Sequence, residues 1–294
     1  MTIQEFARQV IETLQAKFPE YFRDAEFQIQ QVAKPGNLIL TGIGIRMKNT
    51  PISPLYYIDS ALQNGQSAEE TAKEIASQIA KQSSLPDSID VNFVSDFESA
   101  RQFIVPRLID IRPGKNDAYI KNRVMTQFPF VSIGIIYDIA LPNNKTSSMS
   151  IPVTKDLQRT WNASTKAIHD AAIQNGPRIR PLKIASLAEM LGLPFELDDM
   201  APMTVLTNSV GVYGASSILY PATKELLEER FPNGFIGIPS SVHEWIIISK
   251  DLSTDTMGLL DMVKTINANE VLPEDQLADD VFTLDDEGHL VSIA

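Results

Sequence analysis

Residues 235–249 constrain the fold of this chain more than any other stretch, and their sequence is Phe-Ile-Gly-Ile-Pro-Ser-Ser-Val-His-Glu-Trp-Ile-Ile-Ile-Ser. Two short apolar runs, rich in β-branched residues, flank a Pro-Ser-Ser break, as expected of two strands joined by a tight connection. The pattern predicts a buried β-hairpin with polar groups at its tip. The tip carries His243, one of three histidines in the chain, so it is also a candidate functional site.

The order of the predicted elements indicates an α+β fold with two lobes. Apolar residues at helical spacing over 3–18, alternating residues over 27–47 and a capping box at Ser67-Ala-Glu-Glu70 predict a helix, a β-meander and a second helix. We assign this small lobe to residues 1–84. Residues 85–294 then form a larger lobe of mixed sheet and helices with an acidic C-terminal segment. A chain of 294 residues exceeds a typical single domain, which also favours two lobes.

Composition excludes several classes of site. The chain has no cysteine, which rules out disulfides, iron–sulfur clusters and cysteine-ligated zinc. Its histidines, His169, His243 and His289, lack the spacing that places two ligands on one helical face. We therefore expect no metal site and no cofactor. No apolar run approaches the roughly 20 residues that span a bilayer, and the N-terminus lacks a signal-peptide pattern. We expect a cytoplasmic protein without a membrane partner.

Charge is distributed unevenly along the chain, whose net charge is −12. Residues 101–183 contain 13 basic and 5 acidic side chains, whereas residues 251–294 contain 1 and 11. One interpretation is that the acidic end folds against the basic middle or solvates the surface. The other is that the basic middle contacts an anionic partner. Overall acidity argues against nucleic acid as that partner, because binding a phosphate backbone needs an exposed positive face.

Residues 97–111 place apolar side chains at helical spacing, which predicts a helix that is kinked or delayed by Pro106. Further along, Arg178 and Arg180 lie two residues apart in a segment bounded by prolines. An extended segment of this kind projects both guanidiniums to one side and would clamp a carboxylate or phosphate. The interpretation that we favour is instead a set of salt bridges between the lobes, from these two arginines to the acidic C-terminal segment.

The hairpin tip offers weak candidates for catalysis in Ser240, Ser241 and His243. A serine beside a histidine is the pairing of a nucleophile with its general base. The G-x-S-x-G turn that presents such a serine is missing from this stretch. No third residue that would orient the histidine can be assigned. The alternative is that the serines bond to the amides of the turn and that His243 lies on a partly exposed face.

If the chain has a ligand site, we expect Arg178, Arg180, Asn208 and Tyr213 to line it together with the hairpin tip. Asn208 follows a predicted strand, and Tyr213 lies in the turn from Gly211 to Gly214. The arginines would hold an anion, while the other two residues would supply polar contacts around the tip.

Several segments resemble an uncharacterised bacterial family, domain of unknown function 5688. The most specific of them is Pro-Ser-Ser-Val-His-Glu at Pro239–Glu244. The other matching segments are Arg107–Ile109, Val205–Asn208, Gly214-Ala215, Ile218–Pro221, Met262-Val263, Ile266-Asn267 and Leu277–Phe282. A more distant likeness, to the family of unknown function 1444, covers the C-terminal half. The resemblance implies a folded, intracellular bacterial protein, and it transfers no activity, substrate or catalytic residue.

These observations favour a non-catalytic binding or regulatory protein whose partner is another protein or a small anionic ligand. The ground is the lack of a metal signature, a phosphate loop and a convincing triad, together with the segregated charge. Two alternatives stay open. One is a hydrolase or transferase that uses Ser240 or Ser241 with His243. The other is an acidic inhibitor whose residues 251–294 imitate nucleic acid and bind a basic protein.

Overall fold

The computed structural model describes residues 1–48, 53–82, 91–141, 150–190, 192, 203–252 and 255–293. Its sheets are antiparallel and its helices pack beside them, so the fold is α+β, as the sequence predicted. The chain divides into two compact units, one of Met1–Lys34 with Leu38–Asn92 and the other of Pro35–Asn37 with Phe93–Ala294. No helix in the described ranges is both long enough and apolar enough to cross a bilayer.

The first unit packs helices on a three-stranded sheet. Its helices are α1 (Ile3–Lys17), α2 (Pro19–Phe22), α3 (Asp59–Gln63) and α4 (Ala68–Gln82). Its strands, which pair in chain order, are β1 (Glu26–Lys34), β2 (Leu38–Arg46) and β3 (Leu55–Tyr57). The capping box at the start of α4 is confirmed, because the Ser67 hydroxyl accepts from the Glu70 N–H and the Glu70 carboxylate accepts from the Ser67 N–H. The main core residues are Phe6, Val10, Leu14, Phe22, Ile43, Ile45 and Ile75.

The second unit is built on two antiparallel sheets. The strands of the first are β4 (Ile104–Asp110), β5 (Met125–Gln127), β6 (Ile133–Ala140) and β7 (Ser150–Pro152). They pair in the order β4-β6-β5, and β7 pairs with β6. The strands of the second are β8 (Leu182–Ser186), β9 (Thr204–Asn208), β10 (Phe235–Ser241), β11 (Glu244–Ser249), β12 (Phe282–Leu284) and β13 (Leu290–Ser292). Their order is β13-β12-β10-β11-β9-β8.

Helices of the second unit flank these sheets. They are α5 (Phe97–Ala100), α6 (Asp117–Ile120), α7 (Lys155–Trp161), α8 (Thr165–Ile179), α9 (Leu187–Met190), α10 (Pro221–Arg230) and α11 (Thr256–Asn269). The longest, α8, packs on β4, and a short 3₁₀ helix at Gly214–Leu219 lies against β4 and β9. One large core joins both sheets, because apolar residues of β4, β6, β9, β10 and β11 belong to a single cluster.

The hairpin predicted at 235–249 is confirmed. β10 and β11 pair along both strands, with one irregularity near the tip, and their last pair is Ser241 with Glu244. His243 is therefore a residue of the turn between the two strands. The hairpin occupies the middle of the six-stranded sheet, between β12 and β9.

The helix predicted over 97–111 is wrong for most of its length. α5 ends at Ala100, and residues 104–110 form β4, which lies at the edge of its sheet. Every side chain of β4 is buried, so both faces are covered and the apolar residues do not alternate with polar ones. Pro106 fits because a strand at an edge can lack an N–H on its outer side.

Candidate functional site

Arg107 and Asp138 are charged side chains buried on the four-stranded sheet. Asp138 on β6 lies opposite Val105 on β4, and Arg107 follows two residues later, so both point to the same face. Arg107 is 5% exposed and Asp138 is 2% exposed. Arg107 Nη1 lies 3.9 Å from Asp138 Oδ2, which makes an ion pair that is too long for a hydrogen bond.

Arg123, between α6 and β5, brings a second guanidinium to Asp138. It is almost fully buried, and its Nη2 donates to Asp138 Oδ1 and, at 2.8 Å, to the Tyr137 carbonyl. Its Nη1 donates to the Tyr119 hydroxyl at 3.1 Å. The same hydroxyl accepts from Arg107 Nη1 at 3.0 Å. Tyr119 therefore holds two guanidiniums at one oxygen atom.

Arg180 adds a third guanidinium from the C-terminal end of α8. It is 5% exposed, and its carbonyl accepts from the Tyr220 hydroxyl at 3.0 Å. Burial lowers the pKa of Arg180, while the charge of Asp138 raises it and that of Arg107 lowers it. The Arg180 guanidinium carbon lies 5.9 Å from the ring centre of Tyr213, the ring that also covers Arg107, so Arg180 lies beside the same tyrosine. We call Arg107, Arg123, Arg180 and Asp138 the arginine cluster.

The arginine cluster contains more positive than negative charge. Three guanidiniums accompany one carboxylate, which leaves two positive charges uncompensated within the cluster. Three buried donors of the cluster and one buried acceptor have no hydrogen-bond partner in the part of the chain that the structure describes, namely Arg107 Nε, Arg123 Nε, Arg180 Nη1 and Asp138 Oδ2. A buried polar group without a partner costs about 1–3 kcal/mol, and more when it is charged. Each arginine therefore has an N–H group that would gain from an acceptor.

Two tyrosine rings cover the guanidiniums. The Arg107 guanidinium carbon lies 3.6 Å from the ring centre of Tyr213 and 5.5 Å from that of Tyr119. Arg180 lies 5.9 Å from the Tyr213 ring centre, and Arg123 lies 5.3 Å from that of Tyr119. These are cation–π distances. Both rings are half-buried whereas the arginines are almost fully buried, so the rings separate the guanidiniums from solvent.

The turn after β9 positions Tyr213. Asn208 Oδ1 accepts from the backbone N–H groups of Val210 and Gly211 at 2.9 and 2.8 Å, and its Nδ2 donates to the Val212 carbonyl at 3.0 Å. Tyr213 then takes a left-handed conformation with φ of 52°, which is uncommon for a residue other than glycine. Asn208 therefore acts on the arginine cluster indirectly, through the backbone that carries Tyr213.

His243, at the hairpin tip, stacks on Tyr213 with ring centres 5.6 Å apart and ring planes 14° apart. The backbone N–H of Tyr213 donates to His243 Nδ1 at 3.1 Å, and His243 Nε2 lies 3.2 Å from Asp275 Oδ1. Because Nδ1 accepts, the neutral ring carries its proton on Nε2 and donates it to Asp275. Ser241 Oγ accepts at 3.0 Å from the backbone N–H of His243. Both ring nitrogens are thus engaged by other groups.

The structure brings three of the residues predicted for the site together, namely Arg180, Tyr213 and His243. Arg178 lies elsewhere, because its Nη2 donates to the Gln102 carbonyl and its side chain lines a surface pocket of about 540 Å³. The predicted extended clamp is wrong, since α8 continues through Pro177 and includes Arg178. Packing of α8 against β4 outweighs the tendency of proline to end a helix.

The two serines at the tip of the hairpin lie apart from the His243 ring. Ser240 occupies the irregularity of β10, between the pairs formed by Pro239 and Ser241. It is half-buried, and Ser241 accepts from a turn amide. This contact matches the interpretation that Ser241 bonds to an amide of the turn.

The acidic C-terminal segment contacts the basic middle of the chain at Arg112 and Lys115. Arg112 pairs with Asp110 and Asp279, and Lys115 Nζ donates to the Gln276 side chain at 3.2 Å. Burial by itself lowers the pKa of Arg112, but its hydrogen bonds to the two carboxylates outweigh burial and raise the pKa. The salt bridges expected from the arginines at the end of α8 are not formed in the described ranges, so that interpretation is wrong.

Sequence reasoning missed Arg107, Arg123, Asp138 and Tyr119. A signal was present, because β4 and β6 are largely apolar runs that contain charged residues, Arg107 and Asp110 in β4 and Asp138 in β6. Charged residues are almost never fully buried unless they are paired, so an arginine and an aspartate in two apolar strands indicate a buried pair. The helix predicted over 97–111 hid this signal for Arg107.

One group of carboxylates and histidine in the described residues has the spacing of a metal site. Asp285, Glu287 and His289, at the turn between β12 and β13, have ligand atoms within 4.8 Å of one another. Glu287 and His289 are exposed, and Asp285 Oδ1 already accepts from the His289 N–H at 2.7 Å. Exposed acidic turns commonly have this arrangement, and we assign no metal to it.

Gly214 allows the 3₁₀ helix to pack closely against the backbone of Asn208 and His243. A Cβ at this position would lie 2.5 Å from the His243 carbonyl oxygen and 2.8 Å from the Asn208 nitrogen, and would also overlap Thr207 Oγ1. We expect Gly214→Ala to lower the free energy of unfolding by about 2–3 kcal/mol, because the backbone atoms cannot swing away. Chemical denaturation measures the change.

Gly237→Ala is the matched control for Gly214→Ala. A Cβ at Gly237 meets its nearest atom, in the Trp245 ring, at 3.4 Å, which is an ordinary contact. We expect the control to change the free energy of unfolding by less than about 1 kcal/mol. Equal losses in the two variants would show that the close approach at Gly214 has no special cost.

The comparisons with known proteins identify a family and no activity. A model described as a family of unknown function, DUF5688, matches residues 3–285. No curated protein and no solved structure matches the chain. The matched range includes all four members of the arginine cluster, together with the Tyr213 turn and the hairpin tip. Because the match covers nearly the whole sequence, the chain belongs to the family of unknown function DUF5688.

Proposed function

We propose that this protein is a non-catalytic binding protein whose ligand is a small anion held by the arginine cluster. The observation that carries the proposal is the excess of buried positive charge, with three guanidiniums and one carboxylate. Burying an uncompensated charge costs several kcal/mol, and a bound anion would offset that cost. The unpartnered N–H groups of Arg107, Arg123 and Arg180 are the donors for it.

Burial favours a small ligand over a macromolecule. The three arginines lie beneath Tyr119 and Tyr213, so the broad face of a nucleic-acid duplex or a folded protein does not reach them. A small anion would reach the guanidiniums if one ring moved aside. Tyr213 is the better candidate, because its contacts come from a turn and a hairpin tip, whereas the Tyr119 hydroxyl is held by two guanidiniums. A cytoplasmic location is part of the proposal, since a chain without cysteine fits a reducing compartment.

The hydrolase or transferase alternative has less support from the geometry. A general base must accept a hydrogen bond from the hydroxyl that it activates. His243 Nδ1 instead accepts from the backbone of Tyr213, and Nε2 faces Asp275. Within the described residues no serine hydroxyl bonds to the ring, and Ser241 contacts the backbone of His243. Catalysis would require the hairpin tip to rearrange.

The nucleic-acid mimic has less support too. A mimic needs its carboxylates free for a basic partner. Asp279 pairs with Arg112, Asp275 contacts His243, and the hairpin of β12 and β13 is built into the six-stranded sheet. Some carboxylates of the acidic C-terminal segment are therefore already paired within the protein.

Arg180→Met tests the proposal by its effect on anion binding. The wild-type chain is screened by thermal shift against inorganic phosphate, sulfate, succinate and acetate, and the best anion is measured by calorimetry. We expect Arg180→Met to weaken binding of that anion about 10- to 100-fold, because a charge-assisted hydrogen bond contributes about 1.5–3 kcal/mol. The free variant should remain folded, since methionine removes a buried charge while keeping the volume.

Arg178→Met is the matched control, because Arg178 belongs to the same helix end but lies outside the arginine cluster. We expect its affinity to stay within about twofold of wild type, since solvent and salt screen an exposed charge. No stabilisation by any anion would overturn the proposal. Equal weakening in the two arginine variants would do the same, because it would show a diffuse surface effect.

A further inference from the structure

The geometry points to a phosphoryl dianion, as free phosphate or as a small phosphomonoester, as the ligand of the arginine cluster. The inference rests on the proposed function and narrows it from small anions in general to one chemical class. It depends on three features of the cluster: the size of its uncompensated charge, the identity of its cations and the distribution of its open N–H groups.

The uncompensated charge matches a dianion. Asp138 neutralises one of the three guanidiniums, which leaves two. The other buried carboxylate on β4, Asp110, is bonded to Arg112 and is not available to the cluster. A phosphomonoester carries a charge of about −1.5 to −2 at neutral pH, whereas a monocarboxylate carries one negative charge. A monocarboxylate would therefore leave a buried positive charge without a partner, and a phosphoryl dianion would not.

The cations of the cluster are all arginines, which favours oxyanions with several acceptor atoms. The guanidinium is planar, stays charged, and offers fixed N–H directions that match phosphate and carboxylate oxygens. The nearby lysine of the basic middle, Lys115, instead donates to Gln276. The ring and hydroxyl of Tyr119 hold the guanidiniums of Arg107 and Arg123 in place before a ligand arrives, so less side-chain freedom is lost on binding.

The buried N–H groups that lack a partner come from three separate parts of the fold. A carboxylate is typically held by two parallel N–H groups of one guanidinium. Arg123 cannot offer such a pair, because both of its terminal nitrogens are bonded to Tyr119, Tyr137 and Asp138 and only Nε is open. Arg107 contributes Nε from β4, and Arg180 contributes Nη1 from the end of α8. Donors from three arginines, on three segments of the fold, suit the three terminal oxygens of a phosphoryl group.

Calorimetry with a graded set of anions tests the inference on the full chain at constant ionic strength. The probes are inorganic phosphate, glycerol 2-phosphate, sulfate, succinate and acetate. We expect the tetrahedral dianions to bind at least about tenfold more tightly than acetate, because the second charge removes the remaining buried positive charge. Succinate, a flexible dianion whose charges lie on two separate carboxylates, should bind more weakly than phosphate. Arg180→Met should abolish this ranking, and Arg178→Met should preserve it.

The pH dependence separates a phosphoryl dianion from other anions. Affinity for glycerol 2-phosphate should rise about tenfold from about pH 5 to about pH 7.5, as the second phosphate proton, with a pKa of about 6, is lost. Sulfate keeps its charge over this range and should bind with constant affinity. A parallel change in sulfate affinity would assign the pH effect to a group of the protein. It would overturn the interpretation that loss of the phosphate proton causes the effect.

The outcomes separate this inference from the proposed function. Binding of no anion would overturn both. Binding of acetate or succinate as tightly as phosphate, lost in Arg180→Met, would overturn the phosphoryl assignment and leave a small-anion site. Tighter binding of phosphate supports the assignment and identifies free phosphate as the ligand. Tighter binding of glycerol 2-phosphate supports it equally and identifies a phosphorylated small molecule.

Discussion

Asp138→Asn should lower the free energy of unfolding by about 3–5 kcal/mol, which is the cost of removing one partner from a buried ion pair. Asp138 is 2% exposed and is the carboxylate that accompanies the three guanidiniums of the arginine cluster. Asparagine keeps the shape of the side chain but leaves all three positive charges without a counter-charge. Urea denaturation followed by circular dichroism measures the loss, with the denaturant slope checked for constancy.

Asp156→Asn is the control, because Asp156 also pairs with an arginine but its side chain is 63% exposed. An exposed ion pair contributes about 0–1 kcal/mol, so this variant should stay close to wild type. Adding Arg123→Met to the Asp138→Asn variant should recover part of the lost stability, since it removes one of the buried charges that lost its partner. Similar small losses in the two aspartate variants would contradict the description of the cluster as buried and uncompensated.

Trp245→Ala should cost about 3–5 kcal/mol of unfolding free energy, as expected for truncation of a large aromatic side chain in a core. Trp245 lies on β11 and is fully buried. Its ring packs edge to face against Phe282 at 5.6 Å, and its indole N–H donates to the Ala215 carbonyl at 2.8 Å. It thus joins the central hairpin to β12 and to the 3₁₀ helix. Chemical denaturation measures the loss.

Two variants bracket the Trp245→Ala result. Trp245→Phe keeps an aromatic ring but removes the indole N–H, so it should cost about 1–3 kcal/mol through the unpaired Ala215 carbonyl and lost volume. Phe130→Ala truncates a fully exposed ring and should change stability by less than about 0.5 kcal/mol. The assignment of Trp245 to the core would fail if its truncation cost no more than that of Phe130.

The candidate site was predictable only in part. Tyr213 and His243 were proposed because polar residues stood in a glycine-rich turn and at a hairpin tip, and the structure stacks their rings. Arg180 was proposed from an extended segment that is in fact the end of a helix, so its inclusion rested on an incorrect reason. The charged residues in β4 and β6 indicated a buried pair, but Arg107 and Asp138 were missed because the helix predicted over 97–111 kept β4 from being recognised as a strand beside β6.

Local sequence determined the features whose physics is local. The hairpin at 235–249 follows from two β-branched runs around a turn, because its strands pair with the nearest chain available. The cap at Ser67 and Glu70 follows from side chains that satisfy amides three residues away. The α+β class follows from the order of such elements, each set by its own periodicity.

The tertiary structure alone decided the identity of β4 and the composition of the arginine cluster. Residues 104–110 have apolar spacing that suits a helix, and they form a strand because pairing with β6 buries them on both faces. Arg107, Arg123, Asp138 and Arg180 belong to separate segments, and their charges meet only when those segments pack. A buried charge takes its partners from long-range packing, whereas caps and turns take theirs from the adjacent backbone. Sequence patterns therefore identify caps and turns but not the partners of a buried charge.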